Sequence, residues 1–219
     1  MMKKAIFFDL DGTLWDALEG ITFAWNEAMI KNNKPYRFTK EITISYMGLT
    51  PEETAPLAFP NDNFEEGMKL FFLCFDEEIK YLSKNPGKLY ENEEKVLQNL
   101  YKKYDLYIVS NSFKGYIDNY INGYDFKKYF KGTLCAGDTG LDKAENIRYL
   151  MEKEGIEDVI YVGDTFKDYL QAKKAGVKFI HASYGFGKIK NKVVSIKSFL
   201  ELEDALNKLS FKKPRRLLK

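Results

Sequence analysis

The sequence predicts an α/β fold: a doubly wound parallel sheet with an all-helical segment inserted after its first strand. Three observations predict it. A short apolar run, Ala5 to Phe8, stops abruptly at Asp9, Asp11 and Gly12, which reads as a buried parallel strand leaving its sheet. From Gly87 onward, short apolar runs alternate with amphipathic stretches, the pattern of strands and helices taking turns. Between these two regions, residues 15–86 carry three-to-four periodicity and no convincing strand.

Taken in order, the first strand is followed by a helix whose apolar positions are Ile21, Phe23, Ala24, Trp25, Ala28 and Met29. Thr39 is a predicted N-cap, and Pro51 a first-turn proline backed by Glu52 and Glu53. Phe64, Met68, Phe71, Phe72, Phe75, Ile79 and Leu82 then form a long apolar stripe, expected to be core. Trp15 and Trp25 are likewise expected to pack. In the second region the predicted helices are Glu91–Lys103, Phe113–Ile121, Ala144–Glu154, Thr165–Ala175 (closed by Gly176) and Ser198–Leu209. The predicted strands are Leu106–Val109, Gly132–Cys135, Val159–Val162, Val177–His181 and Val193–Ile196. The expected division is a core of residues 1–14 and 87–210, a helical segment of residues 15–86, and a solvated basic tail over 211–219.

Composition bounds the function. The 219 residues suffice for one sizeable domain with a smaller insertion, and a net charge of +2 gives no reason to invoke nucleic acid or a membrane surface. Cys74 and Cys135 make neither a disulfide framework nor a zinc site, and a lone His181 at a strand end excludes a multi-histidine metal centre. Asp9 and Asp11 interrupt the N-terminal apolar run too early for a signal peptide, so a cytoplasmic location is expected.

The chemistry sits at the strand ends, where open α/β sheets bind ligands. Asp9 and Asp11 repel one another unless something positive joins them, and beside phosphate the usual hard cation is Mg²⁺. The strand 106–109 runs into Ser110-Asn111-Ser112, where the Ser110 hydroxyl with backbone N–H groups can cradle phosphate oxygens while Ser112 caps the next helix. The strand 159–162 runs into Gly163-Asp164, with Asp168 one helical turn further, so both carboxylates can face one cation. Gly137-Asp138-Thr139 repeats the same letters without a carboxylate at that offset and is not expected to bind metal. Lys143 falls between the second and last motifs, where a cation would balance this charge.

In that order (Asp9-Leu10-Asp11-Gly12-Thr13, Ser110-Asn111, Lys143, Gly163-Asp164 with Asp168) the motifs resemble those of the haloacid dehalogenase superfamily, specifically its phosphatases with a helical cap. The resemblance covers nearly the whole chain, including the insertion, Ala175-Gly176 and the Tyr184-Gly185-Phe186-Gly187 loop; Ala144 stands where the family often has proline. It implies a Rossmann-like core and a phosphoric monoester hydrolase. Asp9 would be the nucleophile that forms an aspartyl-phosphate, and Asp11 an acid and base with a raised pKa while Asp9 stays ionised. Asp9, the Asp11 carbonyl, Asp164 and Asp168 would hold Mg²⁺. Thr13, Ser110 and the Asn111 N–H would hold phosphoryl oxygens, and Lys143 would neutralise charge. The substrate would be a small phosphorylated metabolite, phosphoglycolate-like by analogy.

Asp11 argues against dehalogenation and phosphonate cleavage, which depart from Asp-x-Asp. A sugar phosphomutase keeps both carboxylates, but the stretch Tyr46-Met47-Gly48-Leu49-Thr50-Pro51 offers no basic residue for a second phosphate, although Arg37 and Lys40 lie upstream. A phosphoacceptor signalling module would carry its acceptor later in the chain and lack the helical insertion.

Overall fold

The computed structural model describes residues 4–209. In chain order, its first half contains β1 (Lys4–Phe8), β2 (Trp15–Asp16), α1 (Leu18–Lys31), α2 (Lys40–Tyr46), α3 (Pro51–Ala58), α4 (Phe64–Leu82) and β3 (Lys88–Leu89). The second contains α5 (Glu93–Leu100), β4 (Asp105–Ser110), α6 (Tyr116–Gly123), β5 (Gly132–Cys135), α7 (Ala136–Thr139), α8 (Lys143–Glu154), β6 (Asp158–Gly163), α9 (Phe166–Ala175), β7 (Lys178–Ala182), β8 (Val194–Ile196) and α10 (Leu202–Leu209).

Six strands form one parallel sheet in the order β5-β4-β1-β6-β7-β8. β1 is central: Phe8 lies opposite Ile108 on one side and Val162 on the other. Alternate side chains therefore serve two cores. Ile6, Phe8, Leu106, Ile108, Ile160 and Val162 join one apolar cluster, and Ala5, Phe7, Tyr107, Val109, Val159 and Tyr161 join the other. Burial on both faces is why these strands read as continuous apolar runs.

The helices between β1 and β4 form where the sequence places them. Thr39 Oγ1 accepts from the Ile42 N–H, Thr50 and Glu53 form a capping box ahead of Pro51, and Asn63 Oδ1 accepts from the Glu66 N–H. Trp25, Phe71 and Phe75 belong to the same cluster as Ile6 and Phe8, so the helical segment shares one apolar core with the sheet.

Several expectations need correction. Trp15–Asp16 is a strand after all, paired antiparallel with Lys88–Leu89, so the chain enters and leaves the helical segment along one two-residue ribbon. A ribbon that short leaves no periodic signal. Beside it, a Cβ on Gly87 would lie 2.9 Å from the Ala17 Cα, which explains the glycine at the exit. The buried face of α4 runs through Leu70, Phe71, Cys74, Phe75, Glu78 and Leu82, while Phe64, in the first turn, is 58% exposed. α5 starts two residues late, after Asn92 at φ 63°, and α6 starts at Tyr116, after Gly115 at φ 90°. The last helix opens with a 3-10 turn, Phe199–Glu201. Gly137-Asp138-Thr139 lies in α7, where Asp138 Oδ2 accepts from the Cys135 N–H, a capping role. The predicted tail, 211–219, lies outside the described residues.

Candidate active site

The carboxyl ends of β1, β4 and β6 are neighbours in the sheet, so the motifs that follow them converge. Asp9 extends β1 by donating its N–H to the Val162 carbonyl at 2.8 Å. The chain then turns tightly, with Thr13 N–H and Leu14 N–H both donating to the Leu10 carbonyl. Gly12 makes the turn at φ 75°, and a Cβ there would sit 2.3 Å from Asp164 Oδ2. Any other residue would be strained in backbone and would displace that carboxylate.

One carboxylate oxygen each from Asp9, Asp164 and Asp168 can be chosen so that all lie within 4.8 Å of one another, and all three residues are buried. Lys143, 1% exposed, comes between them: its Nζ donates to Asp9 Oδ1 at 2.8 Å and to Asp168 Oδ1 at 2.5 Å. Burial alone would lower the lysine, but Asp168 and Asp9 hold it well above the usual ammonium range. Asp168 Oδ2 accepts from Thr165 N–H and Oγ1, so this carboxylate also caps α9.

Asp164 is held from behind. Its Oδ2 accepts from the Phe186 and Gly187 N–H groups at 2.7 and 3.2 Å. His181 Nε2 lies 3.0 Å from the Asp164 carbonyl; a carbonyl only accepts, so Nε2 carries the hydrogen. His181 thus positions the backbone of this motif.

Asp11 stands apart from the three clustered carboxylates. Its Oδ1 accepts from Trp15 Nε1 at 2.9 Å and Tyr116 Oη at 2.7 Å. Burial raises its carboxyl to about 6 against the pull of those two donors. Trp15 therefore packs, as expected, and also donates. Neither it nor Tyr116 carried a sequence signal for this role: Tyr116 reaches Asp11 only through the fold, and Trp15 only through the turn at Gly12.

Asp9 departs from expectation. Burial first, and repulsion from Asp168 second, raise it to about 7 despite Lys143. Asp164 is pushed up by the same two causes. Three buried carboxylates share one ammonium, and an uncompensated charge in such a place costs several kcal/mol. The donor set, all hard carboxylate oxygens, suits a small divalent cation, which would let Asp9 ionise.

Four buried side-chain oxygens among the described residues lack any hydrogen-bond partner: Thr13 Oγ1, Asn111 Oδ1, Ser112 Oγ and Asp164 Oδ1. All four belong to the strand-end motifs. Ser110, 4% exposed, accepts from the Ser112 N–H at 3.2 Å. Ser112 does not cap α6, which begins four residues later, so its hydroxyl is left at the cavity. Asn111 Nδ2 donates to the Gly48 carbonyl at 2.9 Å, tying the β4 end to the α2–α3 loop.

That loop and α1, α3 and α4 roof a cavity whose floor is Asp9, Asp11, Ser110 and Asn111. Its roof includes Trp25, Tyr46, Met47, Phe71, Phe75 and Glu78, with no lysine, arginine or histidine among the lining residues. Arg37 instead donates to the carbonyls of Lys34 and Tyr36, and Lys40 pairs with Glu19.

The haloacid dehalogenase-like hydrolase family model matches residues 6–182. The chain is 27% identical over 199 residues to the phosphoglycolate phosphatase of Vibrio parahaemolyticus, covering 84% of this chain and 85% of that one. It is 25% identical to that of Haemophilus influenzae, covering 84% and 87%. Among solved structures, a haloacid dehalogenase-like family hydrolase from Streptococcus pneumoniae superposes with a TM-score of 0.78 at 22% identity, covering 93% and 97%. A predicted phosphoglycolate phosphatase from Haemophilus somnus gives 0.75 at 22%, covering 93% and 98%. These structural likenesses carry the fold, and the family match runs from β1 through β7, across every motif of the cluster. The chain belongs to the haloacid dehalogenase-like hydrolases.

Proposed function

We propose that this chain is a Mg²⁺-dependent phosphatase that hydrolyses a small phosphate monoester through an aspartyl-phosphate on Asp9. The observation that carries the reading is a set of buried, unpartnered oxygens on Thr13, Asn111 and Ser112 in the same strand-end motifs as three crowded carboxylates, one of them Asp164 with a free oxygen of its own, and Lys143. Buried polar atoms are ordinarily satisfied, so such a set calls for a polar ligand. The names of the relatives supply phosphate monoesters as that ligand's class.

Asp9, Asp164 and Asp168 would hold Mg²⁺, aided by the Asp11 carbonyl, and the ion would supply positive charge opposite the phosphoryl oxygens. Thr13, Ser110 and the Asn111 N–H bind and orient those oxygens. Lys143 occupies Asp9 Oδ1, which leaves Oδ2 to attack phosphorus in line. As the bond to the leaving alcohol breaks, the protonated Asp11 carboxyl gives its proton to the departing oxygen. Asp11, now a carboxylate, takes a proton from water as that water attacks the aspartyl-phosphate, releasing inorganic phosphate and restoring both residues. Trp15 and Tyr116 keep Asp11 oriented for the two transfers.

Residues 15–86 act as a cap domain over a core of residues 4–14 and 87–209, and closure keeps bulk water from competing with Asp9 in the first step. A sugar phosphomutase would need a second phosphate site, and no basic residue among the described residues lines the cavity. Phosphate release from a panel of phosphorylated metabolites, with and without Mg²⁺, tests the reading. Release that needs both Mg²⁺ and Asp9 supports it; interconversion of sugar phosphates without release overturns it.

A further inference from the structure

One buried acid in the cavity takes no part in this chemistry. Glu78, on α4, is 6% exposed and lines the cavity roof. Its Oε2 accepts from Trp25 Nε1 at 2.5 Å; no other hydrogen bond and no ion pair reaches its carboxylate from the described residues. Burial raises it to about 8. Were Glu78 only a core partner for the indole, glutamine would accept that hydrogen bond as well without an ionisable group in an apolar site.

The walls around it are aromatic. Trp25 stacks on Tyr46 at 6.0 Å and meets Phe71 edge-on at 5.7 Å, and Phe75 stacks on Phe71 at 6.3 Å. An ammonium brought among these rings would favour the ionised form of Glu78 against the burial that raises it, and the carboxylate so formed attracts the cation. A carboxylate on the leaving group would find no lysine, arginine or histidine among the described residues that line the cavity to pair with.

From this juxtaposition of Glu78 with Trp25, Tyr46, Phe71 and Phe75, we infer that the site takes phosphate monoesters whose alcohol carries an organic ammonium group. The phosphate lies on the strand-end floor and the ammonium against the Glu78 carboxylate in the roof. Specificity thus comes from one residue on α4, and an acid-bearing ester such as phosphoglycolate is disfavoured although relatives are named for it. The inference rests on the phosphatase reading for turnover, but its recognition half can be read without turnover.

The test compares three esters of similar size on the full chain with Mg²⁺: aminoethyl phosphate, its uncharged isostere propyl phosphate, and phosphoglycolate. Wild type should favour the ammonium ester over propyl phosphate by about tenfold or more in kcat/KM, and over phosphoglycolate by more. In Glu78→Gln, which can still accept from Trp25, the ammonium-to-propyl ratio should fall toward one. Calorimetric binding of the same esters to Asp9→Asn protein gives the preference even where nothing is hydrolysed, so a failed phosphatase reading and a failed recognition reading look different. Equal use of the charged and uncharged isosteres, a preference for phosphoglycolate, or an unchanged ratio in Glu78→Gln overturns the inference.

Discussion

Tyr116 Oη donates a 2.7 Å hydrogen bond to Asp11 Oδ1, linking the start of α6 to the turn after β1. A donor to a carboxylate favours its ionised form, so losing it leaves Asp11 easier to protonate. In Tyr116→Phe the pH midpoint that Asp11 sets should move up from its position near 6. Turnover should fall by about tenfold, the usual scale for one hydrogen bond to a charged group. A full pH–rate profile checks both; an unmoved midpoint would detach Tyr116 from proton transfer.

Lys143 should matter to folding as well as to rate. It is the ammonium between Asp9 and Asp168, and stripping one partner from such a buried pair costs about 3–5 kcal/mol. Lys143→Met should therefore melt well below wild type in metal-free buffer, with turnover down by about a hundredfold or more. Thermal melts with and without Mg²⁺ separate the two effects, since a bound cation would replace part of the lost charge. A variant that melts like wild type without metal would show that the pair stabilises nothing.

Cation binding should be visible as stability. An ion at about a hundred times its dissociation constant adds about 2.7 kcal/mol, a rise of several degrees in Tm for a chain of this size. Asp164→Asn should abolish most of that rise, yet the variant should be as stable as wild type in chelator, because it relieves repulsion with Asp9 and Asp168. A rise that survives Asp164→Asn would place the ion elsewhere.

Buried acids away from the strand ends set a stability trend. Burial pushes Glu93 to about 8, with Tyr120 Oη and the Tyr90 N–H donating to it. The unfolded chain releases that proton near an ordinary glutamate value of about 4.3. Between the two values the folded chain holds a proton the unfolded chain has lost. Its contribution is therefore complete below about pH 4.3 and fades as pH rises toward 8. Glu93→Gln should lessen the loss between pH 5 and pH 9 by on the order of 1–3 kcal/mol. Urea midpoints at the two pH values measure it, and an identical loss in both proteins would contradict the assignment.

The sheet and its strand-end residues were legible because buried parallel strands leave apolar runs that stop at a carboxylate or hydroxyl. Asp9, Ser110 and Asp164 each announce themselves that way. Lys143 was legible only by its order between motifs, since one lysine among many has no local mark. Trp15, Tyr116, Ser112 and Glu78 were not legible as site residues. Trp15 looks like a packing residue and meets Asp11 only through the turn at Gly12, while Glu78 looks like a charged residue inside an amphipathic helix and reaches the site only once α1 and α4 pack together. The β2–β3 ribbon was invisible for a different reason: two residues are too few to show a period.

The central claim is that Asp9 carries the phosphoryl group, and acid-quenched labelling tests it most directly. Protein mixed with a radiolabelled phosphate monoester and Mg²⁺, quenched within one turnover, should carry an alkali-labile label on the peptide containing Asp9, and Asp9→Asn should carry none and turn over nothing. Phosphate release from Asp9→Asn at a rate near wild type, or wild-type turnover with no label trapped on that peptide, would contradict it.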